Sequence, residues 1–137
     1  MEQIVLDTSV VAKLFLKEEL SSNAIRLKDK HIKGEIEIVA PSLLKYELIN
    51  ALKSKRFTKV EIKEALEAVR DYGFSIVDPE DQALDNAAAL AVDYNISSYD
   101  ASYVALAKDL ESELCTADGK LVEKASRLNF VKHLSEF

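Results

Sequence analysis

Tryptophan is absent from this chain of 137 residues, and cysteine and methionine occur once each, as Cys115 and Met1. A lone cysteine rules out an internal disulfide and fits a reducing cytoplasm. Two prolines and three glycines leave little room for linkers or low-complexity stretches, and favour long regular elements over many tight turns. No apolar run approaches the roughly 18 residues that a membrane-spanning helix needs. Met1 leads almost directly into the strand-like Ile4-Val5-Leu6, without the basic stretch and cleavage site of a signal peptide. Positive charge is also short, with 18 Lys and Arg against 24 Asp and Glu, a net of −6. A protein that gripped nucleic acid through its overall field would be basic. Any phosphate-bearing partner must therefore be held by a local basic patch or by bound metal ions.

What the chain does contain is a regular alternation of short apolar runs and amphipathic stretches, at a length that fits one domain over residues 1–137. Gln3–Asp7, Glu37–Ala40, Phe74–Val77 and Glu113–Ala117 read as buried strands, and Phe130–Leu134 as a fifth. Helical periodicity fills the intervals. It spans Ser9–Leu16, with Val10, Val11, Leu14 and Phe15 on one face, then Ser22–Lys33 up to a stop at Gly34. Another helix is capped by Ser42, and the next opens at Thr58 with Glu61 completing a capping box and ends near Gly73. Asp78-Pro79 begins one with proline at its first position. Ser98 caps the helix carrying Ala101, Val104 and Leu110, and Asp118–Leu128 is the last. Strands alternating with helices predict an α/β three-layer sandwich, in which helices cover both faces of a mostly parallel sheet of four to five strands.

The acidic residues fall where such a fold binds ligands, beyond the carboxyl ends of the strands. Asp7 ends the first strand and Asp118 follows the fourth. Glu47 lies about a turn into the helix after the second strand, and Asp100 in the first turn of the helix capped by Ser98. Four converging carboxylates repel one another unless something positive lies between them. Hard dications such as Mg²⁺ or Mn²⁺ take oxygen ligands, and one or two of them can clamp a phosphodiester. Neither His31 nor His133 lies near the four acids in the pattern, so a zinc site and a histidine-driven ribonuclease are not expected.

These residues resemble a known family. Asp7-Thr8-Ser9 is similar to the opening motif of PIN-domain nucleases, and the helix Pro41-Ser42-Leu43-Leu44-Lys45-Tyr46-Glu47-Leu48-Ile49-Asn50 to the family's second acidic motif. Tyr99-Asp100-Ala101-Ser102 resembles the third and Leu114-Cys115-Thr116-Ala117-Asp118 the fourth. The resemblance spans the chain in order, and its nearest branch is that of the VapC-type toxins of toxin–antitoxin pairs. It implies a metal-dependent endoribonuclease in which Asp7, Glu47, Asp100 and Asp118 bind one or two Mg²⁺ or Mn²⁺ ions. Ser9, Asn50 and Thr116 would support them by hydrogen bonding. It further implies an RNA substrate, a small antitoxin whose tail covers the cleft, and a homodimer to which Phe15, Leu16, Leu43 and Leu44 would contribute.

Blander readings compete at each position. Asp7 and Asp118 are also good helix caps, and Asp100 suits the positive end of a helix. The basic stretch Lys53, Lys55 and Arg56 is either a solvated helix end or a phosphate-steering patch beside the cleft, which Lys13 on the first helix could extend. Tyr99 and Tyr103 read as packing or dimer contacts before base-stacking platforms, and Cys115 as an inert core thiol. Beyond the toxin reading stand an RNA-processing PIN nuclease outside any toxin–antitoxin system and a non-catalytic PIN scaffold. A receiver-like signalling domain would need its acids gathered differently, with a lysine ending the last strand.

Overall fold

The computed structural model describes residues 1–137. Five strands, β1 (Glu2–Leu6), β2 (Ile36–Pro41), β3 (Ser75–Val77), β4 (Glu113–Thr116) and β5 (Val131–His133), form one sheet. Their order is β3-β2-β1-β4-β5, and every neighbouring pair is parallel. Seven helices intervene: α1 (Thr8–Ala12), α2 (Ser21–Ile32), α3 (Leu44–Ser54), α4 (Lys59–Tyr72), α5 (Asp81–Tyr94), α6 (Ser98–Asp109) and α7 (Gly119–Lys124).

Side-chain alternation along the strands makes the three layers. In β1, Ile4 and Leu6 join one buried cluster, with Ile38 and Ala40 of β2 and residues of α1 to α4. Val5 points the other way, into a second cluster with Val39, Leu114 and residues of α5 to α7. The strands at the centre are buried on both faces, which explains why their sequences are continuous apolar runs. The expected sandwich is the observed one, with all five strands parallel.

The differences are local. The helix expected over Ser9–Leu16 stops at Ala12. From Lys13 to Phe15 the chain tightens into bonds three residues back, such as Phe15 N–H to Ala12 C=O at 3.0 Å. The helix after β3 begins at Asp81 rather than at Pro79, because Glu80 is still extended at φ −88°, ψ 170°. Ser97, not Ser98, caps α6 through the Asp100 N–H at 3.0 Å. Ser42 makes no cap; its N–H donates to Val77 C=O at 2.9 Å, and α3 starts without a side-chain cap. The helix expected over Asp118–Leu128 is α7 alone, ending at Lys124. The Thr58–Glu61 capping box is present as read, and Gly73, at φ 72°, ends α4 in a left-handed turn.

Strand order places the site. The chain builds outward from β1 to β2 and β3, then crosses back to lay β4 on the other side of β1. The chain leaving β1 and β4 therefore passes to opposite faces of the sheet, into α1 and α7, and such a switch point at the carboxyl end is where open parallel sheets bind ligands.

Candidate active site

Asp7 follows β1 immediately, and its N–H continues the ladder to Cys115 C=O of β4 at 3.2 Å. It is the N-cap of α1, with Oδ1 accepting from the Ser9 N–H at 3.0 Å and from the Ser9 hydroxyl. Asp118 does the same for α7, its Oδ1 accepting from Lys120 N–H at 2.9 Å. The two capping turns are tied together. Ala117 N–H donates to Ser9 Oγ at 2.9 Å, and Asp118 N–H to Thr116 Oγ1 at 3.0 Å. Ser9 Oγ thus donates to Asp7 while accepting from the turn after β4, and Thr116 Oγ1 braces the Asp118 backbone. The capping and cluster readings of Asp7 and Asp118 are not rivals: one oxygen caps while the residue stands on the rim.

Glu47, in the first turn of α3, has a support that sequence reasoning missed. Thr8 Oγ1 and Tyr103 OH reach its Oε1 at 2.8 and 2.7 Å, and the two hydroxyls lie 2.8 Å from each other. Tyr103 is a core residue, 2% exposed; its expected packing role is real, but its hydroxyl also holds a carboxylate. Burial and the neighbouring Glu47 keep this phenol protonated well above its ordinary range, so it remains a donor. Asp100, half-buried in the first turn of α6, is the fourth acid. These hydrogen bonds fall on Asp7 Oδ1, Glu47 Oε1 and Asp118 Oδ1, leaving the second oxygen of each outside the network.

Electrostatics binds the four into one group. Burial pushes Asp7 up to about 6 against the pull of the Ser9 and Thr116 hydroxyls, and the charge of Asp100 adds to the rise. Asp100 is raised by burial, then by the charges of Asp118 and Glu47, with Lys124 only partly offsetting them. Acids raised by burial and by one another's charge are poised to take up something positive.

No set of three or more Asp, Glu, His or Cys side chains closes tightly enough to cage an ion. The donor set nevertheless fits a hard dication that keeps part of its water, since Mg²⁺ commonly uses one or two carboxylates rather than a full protein cage. Softer chemistry is not offered. Cys115 is buried, with burial and then the Asp7 charge raising its thiol pKa. His31 is engaged by the Ile38 N–H and Tyr72 C=O, both at 3.0 Å.

The remaining expected residues sit elsewhere or are engaged. Asn50 shares α3 with Glu47 but is exposed, and its side chain bonds to none of the four acids. Lys53 and Lys55 lie six and eight residues beyond Glu47, roughly 9 to 12 Å down the helix axis and away from the rim; Arg56 follows them. Lys13 is bound to Glu18 at 3.0 Å and to Glu19 C=O at 2.8 Å, and Lys55 lies 4.0 Å from the same Glu18. One expected dimer contact is overturned: Leu44 is 0% exposed, packed wholly within the core of its own chain.

Comparison with known proteins gives a consistent outcome. The PIN domain family model matches residues 4–127, a span that contains all four acids. Ribonuclease VapC3 of Pyrobaculum aerophilum is 32% identical over 127 residues, which cover 89% of this chain and 94% of that protein. The crystal structure of PAE2754, also from Pyrobaculum aerophilum, superposes with a TM-score of 0.71 at 26% identity, covering 98% of this chain and 91% of that one. VapC20 of Mycobacterium tuberculosis, a toxin that cleaves the sarcin–ricin loop, shares the fold at a TM-score of 0.72 and 18% identity, over 93% and 96% of the two chains.

Proposed function

The chain belongs to the PIN-domain family, and from that premise we propose that it is an endoribonuclease that hydrolyses RNA phosphodiester bonds with one or two Mg²⁺ or Mn²⁺ ions. The observation that carries this reading is the gathering of four acids beside β1 and β4, where the charges of Glu47 and Asp118 act on Asp100 and that of Asp100 on the buried Asp7. The relationship to a protein named ribonuclease supports RNA as the substrate.

Asp7, Glu47, Asp100 and Asp118 would hold the cation, whose Lewis acidity would lower the pKa of the attacking water and offset charge on the phosphate. The chain's own side chains do the positioning. Ser9 fixes Asp7 Oδ1, the α7 backbone fixes Asp118 Oδ1, and Thr8 with Tyr103 fixes Glu47 Oε1. Three of the four carboxylates are thereby oriented before substrate arrives, so little reorganisation is left for the reaction itself. Water attacking phosphorus in line, with the bond to the 3′ oxygen breaking, leaves 5′-phosphate and 3′-hydroxyl ends.

The same reading makes the chain the toxin of a toxin–antitoxin pair, acting in the cytoplasm as a homodimer. The half-buried Phe15, Leu16 and Leu43 would contribute to the dimer contact. The antitoxin would place a basic side chain among the acids. No helix is long and apolar enough to cross a membrane.

Thermal unfolding with and without millimolar Mn²⁺, alongside RNA digestion in the same buffers, tests the metal reading. Wild type should gain about 2.7 kcal/mol once Mn²⁺ reaches a hundred times its Kd. Asp7→Ala should gain less, and EDTA should stop cleavage. A wild type indifferent to Mn²⁺, with the alanine variant weakened by about 1 kcal/mol, would reduce Asp7 to a helix cap.

A further inference from the structure

The chain carries five Phe and five Tyr. Nine large hydrophobic side chains are exposed, and the only aromatic ones among them are Tyr46 at 76% and Tyr99 at 61%. The other three tyrosines all have partners. Tyr72 packs against Phe74 beneath Lys28, Tyr94 lies under Arg127, and Tyr103 is buried on Glu47. The two rings left in solvent each immediately precede an acid of the cluster, Tyr46 before Glu47 and Tyr99 before Asp100, in the first turns of α3 and α6. Folding does not require them there, since an exposed ring contributes almost nothing to the core.

Charge gives these rings a task. The chain is net −6, four acids act on one another at this end of the sheet, and its densest basic stretch lies at the far end of α3. Phosphate contacts alone would therefore hold RNA weakly at this rim. Stacking of bases on aromatic faces needs no positive charge, is worth about 1–3 kcal/mol per base, and demands bases that are unpaired and splayed.

We propose that Tyr46 and Tyr99 are substrate-positioning platforms of this site, each stacking an unpaired base of the RNA. This rests on the nuclease reading and adds two positioning residues to it. Exposure removes the packing role expected of Tyr99 and leaves base stacking against a dimer contact, which the oligomeric state of the variants separates.

The test uses the full chain with Mg²⁺ and a labelled random-sequence RNA 20-mer pool, single-stranded or annealed to its complement. Binding is read by fluorescence anisotropy, cleavage on gels and oligomeric state by light scattering. Tyr46→Ala and Tyr99→Ala should each weaken single-strand binding roughly 5- to 150-fold and raise KM in step. Tyr46→Phe and Tyr99→Phe should restore both, and the salt dependence of binding should stay unchanged because phosphate contacts remain. Unaltered affinity in both alanine variants, or equal affinity of wild type for duplex, overturns the proposal. So does an alanine variant whose only defect is a lost dimer, which would make the rings an interface. A wild type that neither binds nor cuts any RNA brings down the nuclease reading itself, an outcome distinct from the others.

Discussion

The two ends of the sheet are made of similar residues and behave differently. At the amino-terminal edge, a hollow of about 720 Å³ is lined by Glu2, Glu111 and Glu113 together with Lys108 and Lys132. There acids alternate with bases, and Glu113 meets Lys132 at 3.4 Å in an exposed pair. At the carboxyl edge the acids face one another, and burial drives Asp7 up to about 6. Neither the number of carboxylates nor the size of the hollow separates a site from a surface. The difference lies in burial combined with a counter-charge, that of Lys124, too small to offset the acids, which leaves one edge electrostatically unfinished.

The largest effect that would sharpen this contrast is on catalysis. Asp7→Asn should reduce single-turnover RNA cleavage on the order of 10³-fold, whereas Glu113→Gln at the other edge should leave the rate within about 2-fold. Equal losses at the two edges would erase the distinction.

Stability in EDTA should show the same contrast with a pH signature. The folded-state pKa of Asp7, about 6, lies above its unfolded value of 3.8. Protonation thus favours the folded chain: the Asp7 contribution is fully present below pH 3.8 and is lost as pH rises through 6. Asn keeps the cap but has no charge to bury. Urea unfolding should therefore find Asp7→Asn more stable than wild type by up to about 3 kcal/mol at pH 7.5, with the gap closing near pH 4. The raised pKa of Asp100 acts in the same direction. A gap that widens on acidification would contradict the burial argument.

Smaller still is Tyr103→Phe, which leaves Thr8 as the sole hydroxyl on Glu47 Oε1. Cleavage should fall roughly 10-fold and stability by about 1 kcal/mol. The smallest effect belongs to Lys132→Ala, where loss of an exposed ion pair should cost below about 1 kcal/mol in urea unfolding.

Sequence alone revealed the alternation of strands and helices, because burial on both faces of a parallel sheet writes continuous apolar runs into β1, β2 and β4. It also pointed to four acids as one group: Asp7, Glu47 and Asp118 lie just after strands, whereas Asp100 lies on α6 after α5 and joins them through the charges of Asp118 and Glu47. Thr8 and Tyr103 were illegible as a pair around Glu47, since they lie 39 and 56 residues from it in the chain. Neither hydroxyl carries a local pattern that announces such a partner. Lys53, Lys55 and Arg56 looked adjacent to Glu47 because sequence distance hides direction: α3 begins at the rim and runs away from it. Leu44, read as a surface contact, is a core residue because it faces the sheet from the first turn of that helix. The ends of α1 and α7 were over-extended, because apolar residues continue past the last helical turn into tighter bonding that periodicity does not register.

Asp7 and Asp118 cap α1 and α7, while Glu47 and Asp100 occupy the first turns of α3 and α6. The site is therefore ringed by four helix beginnings, at three of which backbone N–H groups are already capped, Ser9 by Asp7, Lys120 by Asp118 and Asp100 by Ser97. Neutralising two of those acids leaves the caps in place and removes negative charge that repels RNA phosphates. A variant with Asp7 and Asp118 both changed to Asn should hold RNA longer than the active chain does, and could serve as bait for retrieving the RNA that wild type would have destroyed.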